Sequence, residues 1–420
     1  MTGSSAPQGR RLHLQRRRRW FDPADKAAWI IALSLLAYPL LGTLVAFTSL
    51  PSLVASAPVR ALVLLLALSL ILRTRSSVWL STGASLLFAF WAIYLTRLLW
   101  DWWIVGIPVA SDFTLNFVVF CIPTAMAFMH APAIDERKLS RILLVLGVVA
   151  CLLAIVANST DLASARSFTE DAEGRLFLDT VNPITFGHVG VTTILATLGM
   201  SRYCTRKIEW LGLAAAAALG CVAIQLGGSR GPLVALLICI TLAALFLKGY
   251  RWLLLPLIAG SLLMTGESSL DSQSLLGSRV TSSVQSDSPE IRVLMAAGAI
   301  EQFLESPLVG SAIIERQFED YPHNPFLEAA MAVGIVGLLL LVIINLRALR
   351  HILGSLRRGT LLVPLLAVQA VVAAQVSGSL SASASLWLFL ALYAGAEGRR
   401  RRRLPTQHRS PPAGPPLAIG

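Results

Sequence analysis

The chain has 420 residues, of which 55% are apolar and only 14% charged, with a net charge of +12. That balance excludes a water-soluble globular protein, and apolar runs long enough to cross a bilayer recur along it. Backbone groups in hydrocarbon must be satisfied within their own segment, so the runs must be helices and the fold class is an all-α polytopic membrane protein.

In chain order, hydropathy predicts a basic cytoplasmic tail over 1–26 and then twelve spans. Nine lie within 27–264, near 27–49, 55–72, 78–99, 112–130, 141–157, 184–201, 208–226, 232–247 and 251–264. A large outer loop over 265–325 follows, then three spans within 326–396, near 326–346, 360–380 and 383–396. A basic, proline-rich tail over 397–420 closes the chain. With both termini inside, the predicted inner segments hold 27 of the 35 Lys and Arg but only 6 of the 23 Asp and Glu. This is the pattern that the positive-inside rule requires. "RRRR" at Arg16–Arg19 and "RRRRR" at Arg399–Arg403 then fix topology and touch anionic lipid rather than nucleic acid. The apolar run after the first is too long for a cleaved signal and reads as an anchor.

Most spans are free of ionisable residues in their middles. Polar residues collect at the outer ends and in two outer loops, 158–183 and 265–325. In the second, Ile291, Leu294, Met295, Gly298, Ile300 and Phe303 recur at helical spacing, predicting an amphipathic helix on the bilayer surface that ends at Pro307–Gly310. No cysteine falls in an outer loop, and no CxxC, HExxH or DxD-type carboxylate pair marks a metal site.

Three outside-to-inside spans open alike, with "VNPITF", "GSRGPL" and "PHNPFL". Each has proline at or near the first helical position, and Asn182 and Asn324 stand where a capping side chain is wanted. Each start directs unsatisfied N–H groups outward, which suits an anion if the starts are gathered. Outer arginines are few. Arg230 directly precedes a helix start within "GGSRGP", while a snorkelling interfacial role is its plainer alternative. Arg279 and Arg292 lie in the large loop, with surface pairing to Asp287 or Glu290 as their plainer role. His323 is the only histidine of that loop. The helix dipole just after it disfavours imidazolium and keeps the ring able to accept a proton. His188, inside its span, reads as a packed polar residue.

These residues resemble the O-antigen ligase and polymerase superfamily of bacterial envelope glycosyltransferases. The likeness rests on "HN" at His323–Asn324 followed by "GIVG" at Gly334–Gly337. It rests also on "PLVG" at Pro307–Gly310 downstream of Arg292, and on "GGSRGP" around Arg230. It covers roughly residues 180–345; the first five spans match in hydropathy only. The resemblance implies transfer of a glycan from undecaprenyl pyrophosphate at the periplasmic face of the inner membrane, onto lipid A–core in the ligases. It assigns Arg230, Arg292 and His323 to catalysis, and makes Arg279, Asn324 and Asn182 candidate substrate contacts. It implies no cofactor or metal. The Gly334–Gly337 pair resembles a helix-packing device.

The chemistry fits that assignment. A donor outside the cytoplasm has to arrive lipid-linked and activated, and its pyrophosphate leaving group suits arginine forks. His323 would take the acceptor proton, with Asp320 and Glu328 as rival bases. Two other readings stand beside the ligase. One is a polymerase using the same donor, which the arginines Arg166 and Arg175 of the first loop would suit. The other is a twelve-span transporter or lipid-linked oligosaccharide flippase, for which internal repeats and mid-membrane charges are expected but not found.

Overall fold

The computed structural model describes residues 22–46, 52–73, 81–131, 134–159, 168–170, 176–178, 183–253 and 287–403. The first helices are α1 (Pro23–Ala46), α2 (Ser52–Arg73) and α3 (Thr82–Trp100), which runs on as a π-turn over Asp101–Val105. Next come α4 (Val109–Asn116), α5 (Ile122–His130) and α6 (Glu136–Ser159), with a second π-turn, Phe117–Cys121, joining α4 to α5. A small antiparallel ribbon pairs β1 (Phe168–Glu170) with β2 (Leu176–Leu178). Then follow α7 (Pro183–Ser201), α8 (Lys207–Gly227), α9 (Arg230–Phe246), α10 (Asp287–Glu305), α11 (Pro325–Arg357), α12 (Leu362–Ser377) and α13 (Ala384–Arg403).

The all-α class is as expected, with the ribbon as an addition. A helix stands at each predicted span except the ninth, whose start is a 3-10 turn, Lys248–Leu253, and whose remainder lies outside the described residues. The count of twelve spans stays an expectation. Among the described residues seven helices are long and apolar enough to cross a membrane, and three further apolar helices, Ala57–Leu72, Arg230–Phe246 and Leu362–Ser377, are shorter. Hydropathy windows register apolar runs whether or not each run makes a full-length crossing.

One core joins the helices. Phe90 of α3 and Phe117 of the π-turn meet Trp387 of α13 at 5.4 and 5.8 Å between ring centres. The hairpin of α7 and α8 closes on a glycine pair. A Cβ on Gly190 would lie 2.4 Å from the Gly220 carbonyl oxygen, and one on Gly220 would lie 2.8 Å from that of Gly190. Such small pairs let backbones approach where lipid offers no hydrophobic drive.

The predicted outer end is organised by α10 and the loop that follows it. Helix α10 forms as expected, but the residues of its expected apolar face do not share one surface. Met295 and Ala299 are buried against the protein, while Ile291, Leu294 and Ile300 are exposed. Gln302, also buried, donates to the Ser311 hydroxyl and the Ile314 carbonyl and accepts from Arg316 N–H, so it knits the returning loop. Asp101 holds the same loop from the other side. It is fully buried, gripped by Arg97 at 3.0–3.1 Å, and accepts from Ile313 N–H at 2.9 Å.

The glycines of "GIVG" have a different role from the expected one. Gly334 interrupts α11 with φ +69° and ψ −164°. Into that break fits the "PLVG" turn: Ile335 N–H donates to the Pro307 carbonyl and Ser311 N–H to the Met331 carbonyl, both at 2.8 Å. A Cβ on Gly334 would sit 2.4 Å from the Leu308 carbonyl oxygen, and one on Gly310 would sit 2.3 Å from Ala332 backbone. The two motifs form one joint between α10 and α11 in which a turn, not a second helix, packs against the glycine.

Candidate active site at the start of α11

Pro325 opens α11 and Asn324 caps it. The Asn324 side chain accepts from Phe326 N–H at 3.0 Å and Leu327 N–H at 3.2 Å, satisfying two amides that a helix start leaves orphaned. Its amide group then donates to the Gln375 carbonyl at 3.2 Å. His323 sits just before the cap with φ +50°, a left-handed conformation costly for a residue with a Cβ. Its ring meets the Tyr321 ring edge-on at 4.6 Å, and Tyr321 in turn rests on Phe113 of α4.

The His323 pKa is lowered, first by burial and then by the nearby positive charge of Arg292; Asp320 and the Ser377 backbone oppose the shift. That direction agrees with the expected neutral ring, and its first cause is desolvation. Among the described residues, His323 Nδ1 is buried and without a partner. Burial pushes the Tyr321 phenol up, with Asp320 adding and Arg292 opposing.

Both neighbours of His323 lead to the last turn of α12. Arg292 donates to the Val376 carbonyl at 3.3 Å, one residue beyond the Gln375 carbonyl that Asn324 holds. The start of α9 meets the same turn, since a Cβ on Gly231 would lie 3.0 Å from Val376 Cγ1. The second turn of α7 packs there too, with Gly187 against Pro232. The helix starts of α7, α9 and α11 are thus neighbours around the carbonyl end of α12. Sequence spacing could not show that gathering.

Arg230 is exposed at the mouth of α9 and, among the described residues, makes no hydrogen bond or ion pair. The α9 cap, Ser229, makes no side-chain hydrogen bond either, so the first amides of α9 lack a side-chain acceptor. Arg279 and Asn182 lie outside the described residues, as do Arg166 and Arg175. Of the rival bases, Glu328 is fully buried and committed: it accepts from Tyr94 Oη at 2.6 Å and Leu380 N–H at 2.7 Å. It latches α3 to the α12–α13 turn. Asp320 accepts from its own neighbour, Tyr321 N–H, at 2.8 Å. His188 lies in α7, where its carbonyl accepts from Gln369 and Thr192.

The sequence reading missed Tyr321, the Gln375–Ser377 turn, and the Arg97–Asp101 and Tyr94–Glu328 pairs. Two signals were present. "VSGSLSAS" (Val376–Ser383) is a polar break at the outer end of a span, and Arg97 and Asp101 are opposite charges four residues apart at another.

Comparison with known proteins bears on the same region. No curated protein and no solved structure matches the chain. Residues 213–342 match the family model described as O-Antigen ligase, a stretch that contains Arg230, Arg292, His323 and the glycine joint. Over that stretch the chain is similar to the O-antigen ligase family.

Proposed function

We propose that this protein is an O-antigen ligase of the bacterial inner membrane, moving a glycan from undecaprenyl pyrophosphate to lipid A–core at the periplasmic face. The observation that carries the reading is the convergence of Arg292, His323–Asn324 and the Arg230 helix start on one turn of α12. Arg230 and Arg292 hold the pyrophosphate, with Arg279 and Asn182 as further contacts, and the uncapped amides of α9 face the same charge. The acceptor hydroxyl oxygen attacks the anomeric carbon as the bond from that carbon to the pyrophosphate oxygen breaks. The proton passes to the neutral His323 ring, the electron pair stays on the pyrophosphate, and the anomeric centre inverts. Charge grows on the leaving oxygen, where fixed guanidinium groups lower the barrier without a divalent ion.

Purified protein in liposomes, given an undecaprenyl-pyrophosphate-linked glycan and lipid A–core in EDTA, tests this. Transfer by the wild type and none by His323→Ala is the expected result. Glycan lengthening on undecaprenyl pyrophosphate with lipid A–core left bare would replace the ligase with a polymerase. Movement of intact donor across the bilayer with no transfer would return the transporter reading.

A further inference from the structure

The joint between "PLVG" and "GIVG" fixes how deep the outer loop reaches. Ile335, whose N–H holds the Pro307 carbonyl, lies ten residues beyond the start of α11, about 15 Å along the helix at a rise of ~1.5 Å per residue. Arg292, near the start of α10, is level with the end of α12 beside His323. Helix α10 therefore descends beside α11 from the site toward the bundle's middle, and the chain turns at Leu308–Val309 before climbing back to His323.

One side of this descending arm is apolar, with exposed Glu301 and Glu305 flanking it. Val293, Ile300 and Leu304 are 68%, 47% and 68% exposed on the side of α10 away from Met295 and Ala299. Leu308 and Val309 at the turn are each 71% exposed. Water is a poor neighbour for five such side chains in one stripe. The stripe continues into the outward surface of two long apolar helices, Trp100 of α3 and Val336 and Leu339 of α11, all at least half exposed. Beside Val309 a groove of about 400 Å³ opens between Ala92, Ile93, Thr96, Arg97 and Trp100 of α3 and Val333 of α11, mostly apolar but with the paired Arg97 on one wall.

We propose that α10 and its Leu308–Val309 turn insert into the acyl-chain region of the leaflet on the site side, with lipid chains filling the groove beside Val309. The occupant is bilayer hydrocarbon, because the stripe is continuous with the outward surfaces of α3 and α11 and reaches below the start of a membrane-spanning helix. Part of the irregular backbone at that depth is satisfied by α11, through Ile335 and Met331. Arg292 rides on the same rigid helix, so the inserted turn sets its height above the lipid. The proposal needs only that α3 and α11 span a membrane and is independent of the transfer reaction.

Spin labels on single cysteines at Ile300, Leu308 and Val309, in the full chain with its native cysteines replaced and reconstituted in liposomes, test it. Leu339 on α11 is the lipid-facing reference, and Gln317 in the returning loop is the aqueous one. Collision with dissolved oxygen should exceed collision with a water-soluble nickel chelate several-fold at all three sites, as at Leu339 and unlike Gln317. Nickel access at Leu308 and Val309 matching Gln317 would overturn the insertion. Shielding from both reagents would overturn it in favour of a protein partner or second copy. Should Leu339 itself read as aqueous, the spanning of α11 fails and the insertion with it. The wild-type chain offers a check without cysteine replacement: a membrane-confined photoactivated carbene should label the peptide holding Leu308–Val309 and spare Gln317.

Discussion

The two ends of the helix bundle treat charge in opposite ways. At the end carrying the basic segments, several charges are tied down. Lys138 pairs with Asp25 and Arg347 with Glu397, and Arg399 donates to the Met129 carbonyl. Glu136 accepts from Leu361 and Val363 N–H, tying α6 to the start of α12, while Arg202 holds the Gly359 carbonyl. At the other end Arg230 makes no bond among the described residues, Arg292 holds one neutral carbonyl, and His323 keeps a buried ring nitrogen unpaired on a left-handed backbone. Among the described residues, Asn345 Oδ1 and Arg347 Nε are also buried without a hydrogen-bond partner at the basic end, so what sets His323 apart is the unpaired nitrogen on a strained backbone, a combination that marks where a fold gives up stability for chemistry. The contrast is not one of end against end alone. The Arg97–Asp101 and Tyr94–Glu328 pairs stand at the open end and are as fully committed as anything opposite.

The sharpest way to break this comparison is to remove the strained residue without disturbing the strain. Asparagine tolerates the left-handed region, so His323→Asn should fold like wild type and lose ~10²–10⁴-fold in glycan transfer, the usual worth of a positioned general base. Near-wild-type turnover would move the base elsewhere, with Asp320 as the next candidate. Arg230→Lys asks a finer question, because lysine keeps the charge and discards the fork. A loss of about tenfold or more in turnover with unchanged thermal stability is expected if two guanidinium nitrogens grip one pyrophosphate.

Between the ends lies the glycine joint, which belongs to stability and to the site at once. Gly334→Ala puts a Cβ 2.4 Å from the Leu308 carbonyl oxygen at φ +69°, and should cost ~1–3 kcal/mol in detergent unfolding. Because the Leu308 turn ends the helix that carries Arg292, transfer should fall along with stability. Gly212, where a Cβ meets nothing within 4 Å, is the control that should lose neither. At the committed end, Arg347→Ala should lower stability by about 1 kcal/mol, since the pair is partly exposed, and leave turnover per folded molecule unchanged.

Much of this was legible in the chain, for reasons that also explain the omissions. Helix positions follow from apolar runs and Pro–Asn starts, both local, so α7, α9 and α11 begin within about a residue or two of where Pro183, Arg230 and Pro325 put them. His323 and the arginines stood out because polar residues are scarce in such a sequence. The hub that gathers them, Gln375–Ser377, was not legible, because its part is played by backbone carbonyls that any residue carries. The depth of the outer loop was hidden for a related reason. An amphipathic pattern tells which residues of α10 are apolar but not whether protein or lipid faces them, and Met295 and Ile300 fall on different sides. The joint at Gly334 was misassigned because a glycine pair in an apolar helix suits a packing helix and an inserted turn equally well.

The smallest expected effect is the most specific to the arrangement of the site. Burial and the Arg292 charge both hold the His323 pKa below its ordinary value of 6.5. A base with a lowered pKa is active above that pKa and fails as protons bind it. Transfer under limiting substrate should therefore be flat from pH 8 down through neutrality and decline only below pH 6.5. Replacing Arg292 by Gln removes the positive neighbour, so protonation becomes easier and the midpoint of the decline should move upward. The rate loss from a weaker hold on the pyrophosphate would appear at every pH and leave the midpoint where it was. An upward midpoint in the Arg292 variant thus reports contact between the two residues rather than loss of binding, and an unchanged midpoint would separate the arginine from the histidine that the fold sets beside it.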